Sequence, residues 1–464
     1  MKYHKTKKGE QIVDHSEANR SMAMEIARLV SAKGGHTYYV GGFVRDALLH
    51  RENKDVDIEV HGISPEDLKQ ILDTLGHRIT IGESFGIFNL KGYSLDIAMP
   101  RKEEARGQGH RDFDIYVDPF IGTEAAARRR DFTFNALMQD VLTGEIVDHF
   151  GGRDDLLSGT LRHVSDDSFG EDPLRVLRAA QFAARFDCNV AEETVHLCRR
   201  MDLRYLPKER IEGELKKALI KAARPSIFFE VLQEMDQLDH WFPELKALID
   251  VPQNPVYHAE GDVWTHTMMV LDEAAKLRHR AENPYWFMLA ALTHDFGKAV
   301  CTEEINGALH AYEHEKEGLP LAEAFLHRIT TESKLIKYVL NLVELHMKPN
   351  TVAEANSAVK VTTRMFDRAL DPEALVCIAL ADDRGRITTK PGGDKEAFLI
   401  ERLALFREMM ARPYVMGRDL IEAGLKPGES FTQILEYAHK LRLAGVDKEC
   451  ALKQTLGFAR QFSK

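Results

Sequence analysis

The chain has 464 residues, enough for more than one domain with its own core, and its 44% apolar and 29% charged residues exclude a fibrous or fully disordered protein. A formal net charge of −11 argues against indiscriminate nucleic-acid binding but allows a local basic face, because a polyanion responds to the field near it. No apolar run is long enough to cross a bilayer, residues 1–10 are basic with no apolar stretch behind them, and the five scattered cysteines show no Cys-x-x-Cys spacing, so a reduced, cytoplasmic protein without a disulfide frame or zinc ribbon is expected.

Residues 16–33 carry helical apolar spacing at Met24, Ile26, Leu29 and Val30. The β-branched and aromatic run 37–40 predicts a strand, and Gly41-Gly42 then supplies a turn without side chains, where backbone N–H groups can approach an anion. Residues 43–50 predict a helix whose N-terminus points its partial positive charge at that turn. Beyond a polar loop, Asp55 and Asp57 alternate with Val56, Ile58 and Val60, so a strand here puts both carboxylates on one face. A solvated strand face has the same pattern, but two carboxylates beside a phosphate cradle are what a divalent ion on a triphosphate requires.

Pro65 opens a predicted helix, 65–75, capped by Ser64. Short strands are expected at 79–81, 87–90 and 93–99, the last carrying Asp96 in a supporting or structural role. Residues 101–119 are polar and contain glycine, and predict a mobile loop holding Arg101, Arg106 and Arg111. The run Arg128-Arg-Arg-Asp-Phe-Thr-Phe-Asn135 gathers cations, a carboxylate and an amide, a set able to hold ribose and triphosphate. Residues 148–156 read as a turn closing the β-rich region. After Val164 no strand is expected. Phe169-Gly-Glu-Asp-Pro-Leu-Arg175 starts a helix with Pro173 in its first turn, and Asp172 and Arg175, spaced i, i+3, share a face.

The ordered set Gly-Gly-x-Val-Arg-Asp46, spacer, Asp55-x-Asp57, Arg-Arg-Asp131 with Asn135, and Glu171-Asp-x-x-Arg175 resembles the class II tRNA nucleotidyltransferase (CCA-adding) and bacterial poly(A) polymerase family. The resemblance implies Mg²⁺ at the catalytic carboxylates Asp55 and Asp57. It implies nucleotide binding by Gly41, Gly42, Arg45, Arg130, Asp131, Asn135, Glu171, Asp172, Arg175 and Arg178, with Glu209 and Arg210 in support. CTP and ATP become the expected nucleotides and a tRNA 3′ end the expected acceptor. A poly(A) polymerase and a CC- or A-adding specialist share the motifs and stay open.

From Val251 the histidines become dense: His266 lies in a predicted helix 262–277, His294-Asp295 ends 285–293, His310 and His314 follow, His346 ends 335–345, and Asp382 closes 372–381. Several imidazoles and two aspartates on separate helices suit a divalent metal site better than isolated core histidines do. The pattern His266…His294-Asp295-Phe-Gly-Lys298…His314…His346…Asp382 resembles the HD phosphohydrolase domain. It implies His266, His294, Asp295 and Asp382 as ligands of a transition metal or Mg²⁺, His314 and His346 as ligands of a second ion, and His258 and His310 as secondary. Hydrolysis of 2′,3′-cyclic phosphates and phosphomonoesters is the implied reaction, and a hydrolase whose head is silent is the rival.

The expected fold is α+β: a nucleotidyltransferase head with a small mixed sheet at 20–150, a helical neck at 151–250, the HD domain at 251–390, and a helical, tRNA-binding tail at 391–464.

Overall fold

The computed structural model describes residues 15–53, 55–79, 86–105, 113–388 and 395–462. Contacts divide the chain into two units, Met1–Leu206 and Pro207–Lys464.

Alternating side chains organise the first unit. Strand β1 (His36–Val40) pairs antiparallel with β2 (Val56–His61), and β2 pairs parallel with β5 (Leu95–Ala98). Strands β3 (Arg78–Ile79), β4 (Ile87–Leu90), β8 (Met138–Asp140) and β9 (Ile146–Val147) complete a mixed seven-stranded sheet of order β3-β4-β5-β2-β1-β8-β9. On β2, Val56, Ile58 and Val60 are buried in the core with residues of helices α1 (His15–Ala32) and α2 (Pro65–Leu75). Burial of each such side chain contributes about 1.5–3 kcal/mol. Asp55, Asp57 and Glu59 alternate with them. Ser64 caps α2 as its position predicts, its side chain accepting from the Asp67 N–H at 3.1 Å.

Two local expectations are corrected. Within 101–119, β6 (Arg101–Ala105) and β7 (Phe113–Val117) form an antiparallel hairpin instead of an irregular loop. Arg106 and Arg111 lie outside the described residues, as do positions 80 and 81 of the expected strand 79–81. Strands also occur after Val164: Asn189–Val190 pairs with Thr160–Leu161, and Glu303–Ile305 pairs with Ala308–His310. The second of these pairs turns at Asn306-Gly307, both at positive φ, the conformation an Asn-Gly hairpin favours. That dipeptide was the available signal.

The second unit is otherwise helical. Its helices include Lys208–Lys221, Val263–Leu277, Pro284–Thr293, His314–Ile329, Ser333–Leu345 and Pro372–Arg384. Towards the C-terminus, Val415, Leu420, Ile434, Ala438, Ala451 and Ala459 form a cluster of their own. No helix among the described residues is long and apolar enough to cross a membrane.

Candidate active sites

In the first unit, the parallel register of β2 and β5 sets Asp57 beside Asp96. Asp55 precedes β2, its N–H bonded to the Asn53 side chain at 3.0 Å. Burial, then Asp96, then Asp55 push the Asp57 carboxyl up to about 6 against the pull of Arg130. Three carboxylates thus crowd the N-terminal ends of the adjacent strands β2 and β5, a charge arrangement that a divalent cation relieves. Asn89 donates to Asp96 at 2.6 Å, which orients this third acid.

The Gly41-Gly42 turn lies alongside. Gly41 has φ +63°, and a Cβ there would come within 3.2 Å of an Arg130 guanidinium nitrogen, so glycine permits both the backbone turn and the approach of the cation. Arg130 is held from behind by Glu59, at 3.3 Å, and Glu59 is itself bonded to His61 at 2.9 Å. Burial alone would raise the Glu59 carboxyl, but His61 and Arg130 hold it below its ordinary value. Arg45 is buried: it donates to Asn135 at 2.6 Å and to Asp46 at 2.7 and 2.9 Å, and its guanidinium lies 4.5 Å from the Phe186 ring centre. It therefore forms the floor of the turn.

In the segment 128–135, residues 131–135 are all buried, and Thr133–Asn135 form a single 3-10 turn. Phe132 and Phe134 are fully buried against Phe182, and Phe132 also meets Phe169. This fixes Asp131, which accepts from Asn135 at 3.0 Å and from Arg178 at 2.5 and 2.8 Å. Burial would raise Asp131, but Arg178 and Asn135 keep it ionised. The predicted helix at Phe169 is split into Asp166–Gly170 and Leu174–Phe186, with Pro173 preceding the second. Asp172 accepts from the Leu174 N–H at 3.1 Å, and Glu171 follows the first helix. Arg175 donates to the carbonyls of Ser168 (2.6 Å) and Arg129 (2.7 Å), tying this segment to the arginine-rich one.

In the second unit, separate elements bring six predicted ligands together. His266, His294 and Asp382 form one close group, and Asp295, His314 and His346 another. Asp295 reaches both. Its Oδ2 is 3.2 Å from His294 and 3.6 Å from His266, and its Oδ1 is 3.2 Å from His314 and 3.9 Å from His346. Asp382 lies inside its helix, which runs to Arg384, three residues past the predicted end at Ala381, and is 3.2 Å from His266.

Three of the rings are fixed in the same way. His294, His314 and His346 place Nδ1 at 2.8, 2.8 and 2.7 Å from the carbonyls of Ala291, Ala311 and Val343, each three residues earlier. Nδ1–H donates outward and Nε2 is left facing its partners, the tautomer a metal ligand needs. Burial, then His314 and His294, push His346 down to about 3, so that ring is neutral. His294 Nε2 is buried without a well-formed hydrogen bond among the described residues, whereas Asp295 Oδ2 is paired with Lys298 Nζ at 2.7 Å. A buried imidazole nitrogen left without a donor, amid other imidazoles and two carboxylates, fits a divalent metal ion. Gly297 makes the approach possible, because a Cβ there would collide with the His314 backbone.

Residues 37–162 match the poly A polymerase head domain family, and residues 263–387 match the HD domain family. A multifunctional CCA protein of Cupriavidus metallidurans is 34% identical over 443 residues, covering 91% of this chain and 99% of the relative. One from Actinobacillus pleuropneumoniae serotype 5b is 36% identical over 365 residues, covering 75% and 85%. The chain belongs to the multifunctional CCA protein family. Among solved structures, a Thermotoga maritima CCA-adding enzyme complexed with tRNA shares the fold with TM-score 0.64 at 21% identity, over 94% of each chain. The Bacillus stearothermophilus CCA-adding enzyme in complex with CTP does so at 0.62 and 20% identity, over 97% and 99%.

Within this multifunctional CCA protein fold, sequence reasoning missed two supporting acids. Glu59 falls on the alternating strand but carried no motif signal. Glu260 lies in a loop and accepts from His266 at 3.0 Å, from His258 at 2.8 Å and from the Ile387 N–H at 2.8 Å. Burial opposes its ionisation, but these bonds draw it down to about 2. No local pattern announces it. His258 thus joins the site through Glu260, whereas His310 stacks on Tyr312, with ring centres 4.9 Å apart.

Proposed function

We propose that this enzyme adds C, C and A to tRNA 3′ ends from CTP and ATP, without a nucleic-acid template, in the cytoplasm. The observation that carries the reading is the trio Asp55, Asp57 and Asp96 beside the Gly41-Gly42 turn in a chain of this family. The tRNA 3′-hydroxyl oxygen attacks the α-phosphorus, the bond to the β-phosphate oxygen breaks, and pyrophosphate leaves. Mg²⁺ held by Asp55 and Asp57 would neutralise the charge that builds on the phosphates. Gly41, Gly42 and Arg130 line the triphosphate side, with Arg45 beneath. Asp131, Asn135 and Arg178 form the connected polar group next to them. Glu171, Asp172 and Arg175 offer the acceptors and donors that select a base, and the helical tail contacts tRNA. The test is incubation of a tRNA lacking its 3′ end with labelled CTP and ATP, singly and together. Addition that stops after three residues supports the reading, and long A tails from ATP alone point to a poly(A) polymerase.

The position of Asp295 within reach of both donor groups favours a second activity, hydrolysis of 2′,3′-cyclic phosphates and phosphomonoesters at RNA ends. Divalent metal there would supply Lewis acidity toward the phosphate oxygens. Lys298, 2.7 Å from Asp295 and from Gln253 at 2.8 Å, adds a fixed positive charge at the same place. In the cyclic substrate, water adds to phosphorus, one P–O ribose bond breaks, and the freed ribose oxygen takes up a proton.

Glu59→Gln should raise KM for the nucleotide about five- to tenfold and change kcat less, because Arg130 loses its charged anchor but keeps its own charge. Steady-state kinetics at saturating tRNA read the split. Proton linkage gives a further expectation. Because Asp57 is raised in the folded state, the metal-free protein gains stability from this group as pH falls through about 6 towards the ordinary carboxylate range. Metal must displace that proton. Apparent Mg²⁺ affinity should therefore weaken by up to about tenfold per pH unit below about 6, with proton uptake or release measurable by calorimetry in buffers of different ionisation enthalpy.

A further inference from the structure

The metal-ligand cluster of the second unit opens into a cavity of about 910 Å³. Small-molecule sites occupy roughly 300–1,000 Å³, far more than a phosphate fills. The space beyond the ligands must accommodate the rest of a substrate. Its wall includes Asp295, His314 and Asp382, the cations Lys298 and Arg386, and the aromatic residues Tyr312 and Tyr257.

Tyr312 stands out because it serves no core. It is 63% exposed, yet its ring is stacked on His310 with planes only 12° apart. The chain supports that placement. The Asn306-Gly307 hairpin ends at His310, and Glu313 adopts φ +59°, a left-handed conformation unusual for its type. That turn separates two neighbouring side chains by role: His314 is buried among the ligands, with Nδ1 on Ala311, while Tyr312 stays exposed on the cavity wall. A flat aromatic face, backed by a second ring and beside a phosphate-directed cluster, fits a nucleobase. Aromatic stacking accepts any base, because each has a π-face.

We infer that Tyr312, backed by His310, is a stacking platform for the nucleobase of the terminal nucleotide whose phosphate enters the metal cluster, so that this site takes nucleoside phosphates and RNA 3′ ends in preference to base-free phosphate esters. The inference rests on the hydrolytic reading of the site for its reaction but not for its binding. Tyr257, 42% exposed on the same cavity, is the other aromatic available to the base.

The test uses the full chain with Tyr312→Ala, Tyr312→Phe and Tyr312→Leu, the last keeping bulk without an aromatic plane. The first readout is kcat/KM for adenosine 2′,3′-cyclic phosphate relative to that for glycerol 1,2-cyclic phosphate, which lacks a base. This ratio should fall about tenfold in Tyr312→Ala and Tyr312→Leu and hold within about twofold in Tyr312→Phe. The second readout is calorimetric binding of adenosine 3′-phosphate and glycerol 2-phosphate to EDTA-treated protein, where no turnover occurs. The parent should prefer the nucleotide, and Tyr312→Ala should lose that preference. Unchanged metal content and unchanged nucleotide addition report that the variants are folded. A ratio and a binding preference equal in parent and Tyr312→Ala would overturn the platform. If the parent hydrolyses neither ester while the base-dependent binding is lost in Tyr312→Ala, the hydrolytic reading falls and the platform stands.

Discussion

Asp57→Asn is expected to abolish nucleotide addition, lowering kcat about a thousandfold or more, while leaving hydrolysis in the second unit intact. The substitution keeps the shape of the side chain and removes one of the charges proposed to hold the ion. Its effect on stability runs the other way. Asp57 is crowded by Asp96 and Asp55 and by burial, all of which disfavour its charged form. Without metal, the amide relieves that repulsion, so the variant should melt no lower than the parent at pH 7. Loss of activity in a protein of equal or greater stability separates a missing ligand from misfolding. Transfer surviving within tenfold of the parent rate would show that the carboxylate pair is not the ion's seat.

Asp295→Asn should have the larger effect in the second unit. Asp295 lies within reach of both donor groups, so its loss is expected to lower hydrolysis about a thousandfold and to lower bound metal. Asp295 is buried and held ionised, well below the usual carboxylate range: burial opposes this, but His294 and Lys298 prevail. Removing one partner of a buried charge set costs about 3–5 kcal/mol, so stability should fall as well. His346→Gln supplies the milder comparison. It belongs to the second donor group only, and should lower bound metal less than Asp295→Asn does, read by plasma emission after dialysis. Retained nucleotide addition in either variant reports a folded chain. Bound metal equal to the parent's in Asp295→Asn would exclude that carboxylate as a ligand.

The sequence made local features readable and non-local ones opaque. The alternation of Val56, Ile58 and Val60 with Asp55 and Asp57 predicts the strand and its charged face, because the side-chain period is intrinsic to the backbone. Ser64 and Asp262 announce helix starts through their own side chains, accepting from Asp67 N–H and Thr265 N–H. Spaced histidines outline the second cluster. Asp96 was harder to place, since its position beside Asp57 is decided by strand register. The roles of Glu59 and Glu260 depend likewise on what folds against them. The pairing of β6 with β7 escaped because β6, Arg-Lys-Glu-Glu-Ala, carries charge where alternation would need apolar residues, although β7 alternates Phe113, Ile115 and Val117. The short pairs at 189–190 and 303–310 offer too few residues to show a period.

The backbone bonds that orient His294, His314 and His346 have a consequence for how the protein matures. Each imidazole is aimed by a carbonyl three residues earlier in its own stretch of chain, and not by an ion. The pocket is thus finished before anything is loaded into it. Newly made chains would reach their final shape in metal-poor cells, and which ion they then carry would follow from supply and exchange, leaving occupancy as something that can be gained, lost and regained over the lifetime of one molecule.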